Sequence, residues 1–252
     1  MKKLLGLLVI SIFVLSACGK QEKPAEDASS NLVSKVMEEL EVMTKVDEEY
    51  EASKKEDVSQ AEMSEKAGAY CEKWEEELDT LWDEIGDSLS DEIKAEQDTW
   101  NKVVDPFLED MLQDYSDGSI YPMLYAQEKA DLMRNRVYKL ASQYAKDNGE
   151  TIEYTNNDIR QKFLNYENNA IKDILYITDS MESGYVAKIN IDGVGSLEGT
   201  ATQDGDKIVF QTYEETLKGE ISLEEDKAVF LVTESTDGTF KAGDEFTFAF
   251  RL

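Results

Sequence analysis

The sequence predicts an α+β fold in which an antiparallel helical bundle is followed by a small antiparallel β-sheet or partial barrel. Before residue 183, apolar residues recur at spacings of three and four, which is typical of one face of a helix. From Gly184 onward they alternate with a period of two, and turn sequences such as Asp-Gly return about every ten residues. We therefore expect a helical domain over residues 31–183 and an all-β domain of five or six strands over residues 184–252.

The composition is that of a folded and strongly acidic protein. Of the 252 residues, 41% are hydrophobic and 32% are charged, which argues for a core and against disorder. The net charge of -29 disfavours nucleic acid and anionic lipid headgroups as partners, because both require cationic contacts. The charge favours encounter with a basic protein, although it also serves simply to keep a protein soluble.

The residue inventory disfavours catalysis. The chain contains no histidine, so it lacks the usual general base near neutral pH and the commonest transition-metal ligand. Runs of carboxylates such as Glu75–Glu77 are expected on solvated helix faces, and Asp204-Gly205-Asp206 lacks EF-hand spacing and indicates a hairpin turn. We therefore predict that the protein is not an enzyme and holds no cofactor or metal.

The first 17 residues resemble a bacterial lipoprotein signal peptide. Two lysines precede an apolar run that is short for a permanent membrane helix. The run ends in Leu15-Ser16-Ala17-Cys18, which resembles a lipobox. That resemblance implies cleavage before Cys18, a thioether-linked diacylglyceryl group on its sulfur and often a fatty acyl chain on its amine.

These features predict a membrane anchor at Cys18. A diacylglyceryl group supplies two chains, which suffice for stable anchoring where one chain is marginal. Residues 18–30 are polar and contain a proline, so we expect a flexible tether. The protein is thus expected at the extracytoplasmic face of the bacterial cell membrane.

Helical spacing is found in five stretches before residue 183. They run from Asn31 to Val46, Met63 to Leu89, Ile93 to Leu112, Met123 to Tyr144 and Ile159 to Met181. The segment Asp47–Asp57 has no periodicity and is either a loop or a solvated helical extension. Pro106 falls inside the third stretch and is expected to kink or break the helix near Asp105.

Several local sequences predict where these helices begin. Ser59 and Glu62 match a capping box, and Ser90 is placed to cap the next helix. Asp117-Gly118 predicts a chain reversal through left-handed glycine angles. Ser119 is then expected as the N-cap of the following helix, with Pro122 in its first turn.

Cysteine and tryptophan side chains are assigned mainly to packing. Cys71 borders an apolar stripe and lacks a histidine to activate it, so an inert, half-buried thiol is favoured over a nucleophile. Trp74, Trp82 and Trp100 fall on core spacing. Core packing is the favoured role for these rings, with a binding surface as the alternative.

Three short segments between Val58 and Tyr144 carry a family resemblance. Ser59–Glu65 is similar to T-Q-A-E-M-N-E, and Gln97–Asp105, with Trp100 and Asp105, is similar to Q-x-x-W-x-x-x-R-D. The third and most specific segment resembles G-S-[IM]-x-P-M-x-x-A, carried by Gly118, Ser119, Ile120, Tyr121, Pro122 and Met123. Together they resemble the LprI-type, lysozyme-inhibitor-like domain of bacterial envelope proteins.

The resemblance implies a binding protein, although this sequence departs from the family pattern at several positions. Family members usually carry cysteines that staple the helices, whereas the matching positions here are Lys66, Leu108 and Glu128, and Val104 replaces the arginine before Asp105. The resemblance implies no catalytic residues. We expect a lipid-anchored protein that binds or inhibits a basic wall-active enzyme such as lysozyme. The alternative is a membrane-surface scaffold or assembly lipoprotein that docks a partner envelope protein.

Overall fold

The computed structural model describes residues 25–152, 159–180 and 184–252, and it confirms the α+β class. The predicted signal peptide and Cys18 lie outside the described residues. Four helices come first, namely α1 (Ala25–Ser53), α2 (Gln60–Ile85), α3 (Asp91–Met111) and α4 (Tyr121–Asp147). One-turn 3-10 helices at Gly86–Ser88 and Gln113–Tyr115 follow α2 and α3. Over these ranges, no helix is both long and apolar enough to cross a membrane.

The helices pack as a bundle in which α2 and α4 form the most extensive contact. Lys35 of α1 pairs with Glu84 near the end of α2, and Asp47 of α1 accepts a hydrogen bond from Tyr70, so α1 and α2 are antiparallel. Each of these helices presents one apolar stripe inward. Trp74, Leu81 and Phe107 are among the side chains without solvent exposure, and together the stripes form one core.

Nine antiparallel strands follow the bundle. They are β1 (Lys162–Glu167), β2 (Ala170–Asp179), β3 (Tyr185–Ile191), β4 (Gly195–Asp204), β5 (Lys207–Thr212), β6 (Leu217–Leu223), β7 (Ala228–Ser235), β8 (Glu245–Phe248) and β9 (Phe250–Arg251). Consecutive strands are neighbours from β1 to β8, which is the order that short hairpin turns enforce. The sheet curls into a barrel filled by a second core that includes Phe163, Phe210, Phe230 and Phe248.

The end of the chain closes this barrel. β8 pairs with β7, whereas β9, one residue further on, pairs with β1 at the opposite edge of the sheet. Between them, the Ala249 N–H donates to Asn165 Oδ1 (2.8 Å), and Asn165 Nδ2 donates to the Thr247 carbonyl (2.8 Å). The side chain of Asn165 therefore substitutes for backbone pairing where the last strand changes neighbours, so the barrel exposes little unpaired edge.

The bundle packs on the outside of the barrel at β1 and β2. Leu164, Ile174 and Tyr176 belong to the helical core, whereas Phe163, Leu175 and Ile177 point into the barrel core. The ring of Tyr176 meets the ring of Phe107 edge-on, with centroids 6.0 Å apart. Both faces of these two strands are therefore buried.

This double burial explains the one wrong helix prediction. The stretch from Ile159 to Met181 is not a helix where it is described, because residues 162–167 and 170–179 form β1 and β2. A strand buried on both faces has a continuous apolar run, here Ile174-Leu175-Tyr176-Ile177, and such runs also satisfy helical spacing. The sheet thus begins before Gly184 and has nine strands instead of five or six.

Along the helices, the structure corrects the expected tether and excludes one of the two alternatives left open at each of two further places. α1 begins at Ala25, inside the predicted tether, and continues to Ser53, so most of the segment after Val46 is a helical extension. α3 runs through Pro106 without a break. A proline removes one hydrogen-bond donor, and the helix tolerates this because Val103, Val104 and Phe107 around it are buried in the core.

Candidate functional site

The three family-like segments meet at one end of the bundle, which we call the motif end. It comprises the start of α2, the end of α3, the loop 112–120 and the start of α4. Gln60 Nε2 lies 3.1 Å from Ser119 Oγ, which joins the first segment to the third. The Tyr125 hydroxyl donates to Asp105 Oδ1 (2.8 Å), which joins the third segment to the second.

The start of α2 is held by the predicted capping box. The Glu62 N–H donates to Ser59 Oγ (3.3 Å), and the Ser59 N–H donates to Glu62 Oε2 (2.9 Å). The hydrogen bonds from Ser59 favour the ionised carboxylate and lower the pKa of Glu62. The first turn of α2 is therefore well defined at the surface where it meets the loop.

The loop 112–120 is a series of tight turns. The Tyr115 N–H donates to the Leu112 carbonyl (2.9 Å), the Gly118 N–H to the Tyr115 carbonyl (2.8 Å), and the Tyr121 N–H to the Gly118 carbonyl (3.1 Å). The chain reversal predicted at Gly118 is present, but its φ is not in the left-handed region. Glycine is favoured because a Cβ there would lie 3.1 Å from the Tyr115 carbonyl oxygen.

The start of α4 differs from the prediction at Ser119. Ile120 is the N-cap residue and makes no side-chain capping bond, while the Ser119 hydroxyl instead contacts Gln60. Pro122 is in the first turn, where a missing N–H costs little. Tyr121 and Tyr125 lie one turn apart, with ring centroids 5.8 Å apart. The hydroxyl of Ser119 therefore connects two helices instead of ending one.

Asp105 is the polar centre of the motif end. Besides accepting the Tyr125 hydrogen bond, its carboxylate lies 3.5 Å from Lys129 Nζ, which is also 3.6 Å from Glu75. Burial, together with the bond to Asp105, raises the pKa of Tyr125. Tyr125 therefore remains protonated and donates the hydrogen bond. Lys129 of α4 lies between Glu75 of α2 and Asp105 of α3 and so links the three helices.

Other motif residues are internal. Trp100 is 2% exposed and packs in the helical core, as do Trp74 and the partly buried Trp82, which confirms the favoured packing role for all three rings. Gln97 is buried and accepts a hydrogen bond from Arg136 Nε (2.5 Å). The second segment therefore positions the helices, and the surface of the motif end belongs mainly to the first and third segments.

The surface of the motif end is apolar at its centre and acidic around it. Met63, Tyr115 and Ile120 have 36%, 44% and 38% of their surface exposed. Exposed acidic residues flank them on every segment, namely Glu56, Asp57, Glu65, Glu109, Asp114 and Asp117. Lys66 pairs with Glu56, and Lys188 of β3 lies 3.9 Å from Asp114, so the rim is mainly but not wholly acidic. Apolar anchors within a rim mainly of one charge are the arrangement expected for contact with an oppositely charged protein surface.

The positions that carry cysteines in the family resemblance are occupied here by other contacts. Leu108 is fully buried, and Lys66 pairs with Glu56 before α2. Val104, at the position of the family's arginine, is also buried. Glu128 forms an ion pair with Lys162 of β1 (2.8 Å), whose side chain is 7% exposed. At the three cysteine positions, the contacts are therefore apolar packing inside the bundle, an ion pair to the segment before α2 and an ion pair from α4 to the barrel.

One polar network was missed by sequence reasoning. Asp47 accepts hydrogen bonds from the Tyr70 hydroxyl (2.7 Å) and from Trp74 Nε1 (3.0 Å), and it lies 3.7 Å from Arg134. Tyr70 also stacks on Tyr50 at 4.0 Å. The only available signal was the spacing of Asp47 from Met43 and Tyr50, which continues the inward stripe of α1.

Two observations concern the predicted absence of a nucleophile and of a metal site. Burial raises the pKa of Cys71 to about 11, so this thiol is protonated and unreactive at neutral pH, as expected. No group of three or more acidic or cysteine side chains in residues 25–152, 159–180 and 184–252 is arranged to hold a metal ion.

Fold and site together define an α+β protein whose family-like segments meet at one end of a helical bundle. Residues 51–140 match the family model described as lysozyme inhibitor LprI, which confirms the resemblance seen in the sequence. The match runs from the end of α1 into α4 and therefore includes the motif end. It does not reach the barrel. No curated protein and no solved structure matches the chain.

Proposed function

We propose that the protein is a lipid-anchored extracytoplasmic binding protein whose motif end binds and inhibits a basic wall-active enzyme such as lysozyme. The observation that carries this proposal is the exposed pair Tyr115 and Ile120 on a tightly hydrogen-bonded loop with an acidic rim, inside the family match. Such a loop loses little conformational freedom on binding, so its apolar contacts contribute more fully to affinity.

Electrostatics supports a cationic partner. The net charge of -29 steers basic proteins toward the molecule, and the rim of the motif end places carboxylates next to the apolar centre. Association would slow as salt is added, because exposed charges are screened beyond about 10 Å at 0.1 M ionic strength. The apolar centre would then carry most of the affinity that remains at higher salt.

An inhibition assay tests the site. The variant Tyr115→Ala/Ile120→Ala removes both loop anchors, and we expect inhibition of a basic lysozyme to weaken by about tenfold or more. The control Met37→Ala/Val42→Ala removes side chains of comparable exposure from α1 and should inhibit like the parent protein. Equal loss in both variants, or no inhibition by the parent protein at micromolar concentration, would contradict the proposal.

The anchor is tested separately. Labelling cells with a fatty-acid probe should mark the parent protein and leave Cys18→Ser unlabelled. The Cys18→Ser protein should still inhibit in solution, because residue 18 is distant in sequence from the motif end. Membrane association without label would argue against lipidation at this position.

A scaffold role would require a broader apolar surface on the helices. On α1, the exposed large apolar side chains are Met37 and Val42. Five residues apart on a helix, they point in different directions and do not form one patch. We therefore place the binding function ahead of the scaffold function.

A further inference from the structure

A cleft of about 580 Å³ lies far from the motif end, where α3 and α4 meet the turn between β6 and β7. Its helical wall includes the start of α3 and the last turns of α4, and its barrel wall includes Glu225, Asp226 and Arg251. The volume is in the range of pockets that bind small organic ligands. Nothing in the proposed inhibitor function uses it.

The cleft has an unusual charge balance for this protein. Four acidic and four basic side chains line it, whereas the whole chain has 55 acidic and only 26 basic residues. The basic residues are Arg136, Lys139, Lys146 and Arg251, and the acidic residues are Glu92, Glu96, Glu225 and Asp226. An anionic group that is repelled elsewhere on the surface therefore finds compensating charge here.

Arg136 contributes a buried and incompletely paired cation. Its side chain is 2% exposed, its Nε donates to Gln97, and one Nη pairs with Glu96. The other nitrogen, Nη2, is buried and has no hydrogen-bond partner among the described residues. A buried donor without a partner is costly, so a small shift of the side chain that brings Nη2 to an acceptor oxygen of a ligand would stabilise this site.

Unpaired charges of both signs remain at the rim. Lys139 bridges the walls, with its Nζ 2.8 Å from Glu96 and 2.6 Å from Asp226. Within the described ranges, Lys146 forms no ion pair, and the same holds for the carboxylates of Glu92 and Glu225. A purely anionic ligand would leave those two carboxylates without a counter-charge. A zwitterionic ligand would pair with both the basic and the acidic side chains.

We propose that this cleft binds a short zwitterionic peptide, with its terminal carboxylate near Arg136 and Lys146 and its ammonium group near Glu92 and Glu225. Backbone groups of two to four residues would lie along a polar helical wall formed by Asn135, Ser142 and Gln143. This binding is independent of the motif end, so loss of inhibition leaves it unaffected.

Titration of the full mature chain with trialanine tests the proposal. We expect amide chemical-shift changes at cleft residues such as Lys139 and Asp226, and none around Ile120. Amidation of the peptide carboxylate, or acetylation of its amine, should each weaken binding about tenfold, because a charge-assisted contact is lost. Equal binding of the capped and free peptides would overturn the proposal.

Variants at the exposed rim provide the matched comparison. Lys146→Gln should weaken binding of free trialanine about tenfold and leave binding of the amidated peptide nearly unchanged. Glu225→Gln should show the same selectivity for the free amine. The control Lys73→Gln changes an exposed lysine on α2 outside the cleft and should bind like the parent. Absence of shifts at peptide concentrations of about 10 mM would also refute the site.

Discussion

The bundle and the barrel are held together in different ways. In the bundle, side-chain networks fix the helices, as where Asp47 joins Tyr70 to Trp74 and where Arg136 joins α4 to α3. In the barrel, backbone pairing runs from β1 round to β9, and the interior is packed with aromatic and aliphatic groups. Individual polar side chains therefore matter more to the bundle, and backbone geometry matters more to the barrel.

The same difference explains why the two candidate binding surfaces lie mainly on the helical region. The helices can vary their outward residues without losing backbone hydrogen bonds, because those bonds lie within each helix. The motif end and the cleft between α3, α4 and the β6–β7 turn are both built largely from helical side chains and their connecting loop. The barrel supports one wall of the cleft and buries the outer face of β1 and β2 against the bundle.

The largest effect is expected from a change inside the barrel. Gly199 on β4 faces the interior, and a Cβ there would lie 2.0 Å from the Gln211 carbonyl oxygen of β5. We expect Gly199→Ala to lower the free energy of unfolding by at least about 3 kcal/mol in urea titrations, because the two strands must separate. Gly238→Ala, whose Cβ meets nothing within 4 Å, should change stability by less than about 0.5 kcal/mol.

The same titration tests whether the two regions unfold together. Leu164, Ile174 and Tyr176 of the barrel are part of the helical core, so Gly199→Ala should shift the loss of helical and tertiary signals by the same amount. A helical signal that survives loss of the barrel would show that the regions are independent.

A slightly smaller effect is expected where the regions meet. Glu128→Ala leaves the Lys162 ammonium buried without its 2.8 Å partner and should cost about 3 kcal/mol. The double variant Glu128→Leu/Lys162→Met replaces the pair by apolar groups and should recover most of that loss. A double variant as unstable as Glu128→Ala would mean that the charges themselves hold the junction. Chemical denaturation measures both.

Removal of Asp47 tests the polar network of the bundle. Asp47→Ala leaves the Tyr70 hydroxyl and Trp74 Nε1 without their acceptor and should cost about 2 kcal/mol by denaturation. Asp47→Asn keeps an acceptor oxygen and should cost about half as much, while Glu48→Ala at an exposed position should be near neutral. Equal losses of stability in all three variants would show that the hydrogen bonds to Asp47 do not stabilise the bundle.

The smallest effect is a pH dependence at the start of α2. Because the folded pKa of Glu62 is lowered, its contribution to stability is present above the unfolded pKa near 4.3 and is lost as pH falls through the folded pKa. The melting temperature of the parent should therefore approach that of Glu62→Gln between about pH 4.5 and 3. A difference that is constant with pH would exclude ionisation of Glu62 as the cause.

Much of the helical region could be predicted because its information is local. The capping box at Ser59, the cap at Ser90 and the inward stripes of α2 to α4 all depend on residues within a few turns of one another. The family-like segments could likewise be read directly from the sequence, although their meeting at one end of the bundle could not. Ser119 illustrates this limit, because its partner Gln60 lies 59 residues away.

Sequence alone determined that this chain has acidic, amphipathic helices followed by alternating strands, because periodicity and turn chemistry act over a few residues. Only the tertiary structure determined that β1 and β2 are strands. Their burial on both faces gives an apolar pattern that also fits a helix. The tertiary structure also decided the packing of the last two strands and Leu252, because Phe248 of β8 packs in the barrel while Phe250 of β9 and Leu252 pack on the bundle. Both outcomes depend on which elements pack against the two faces of the sheet. Contacts between residues that are distant in the sequence produce no periodic pattern in it.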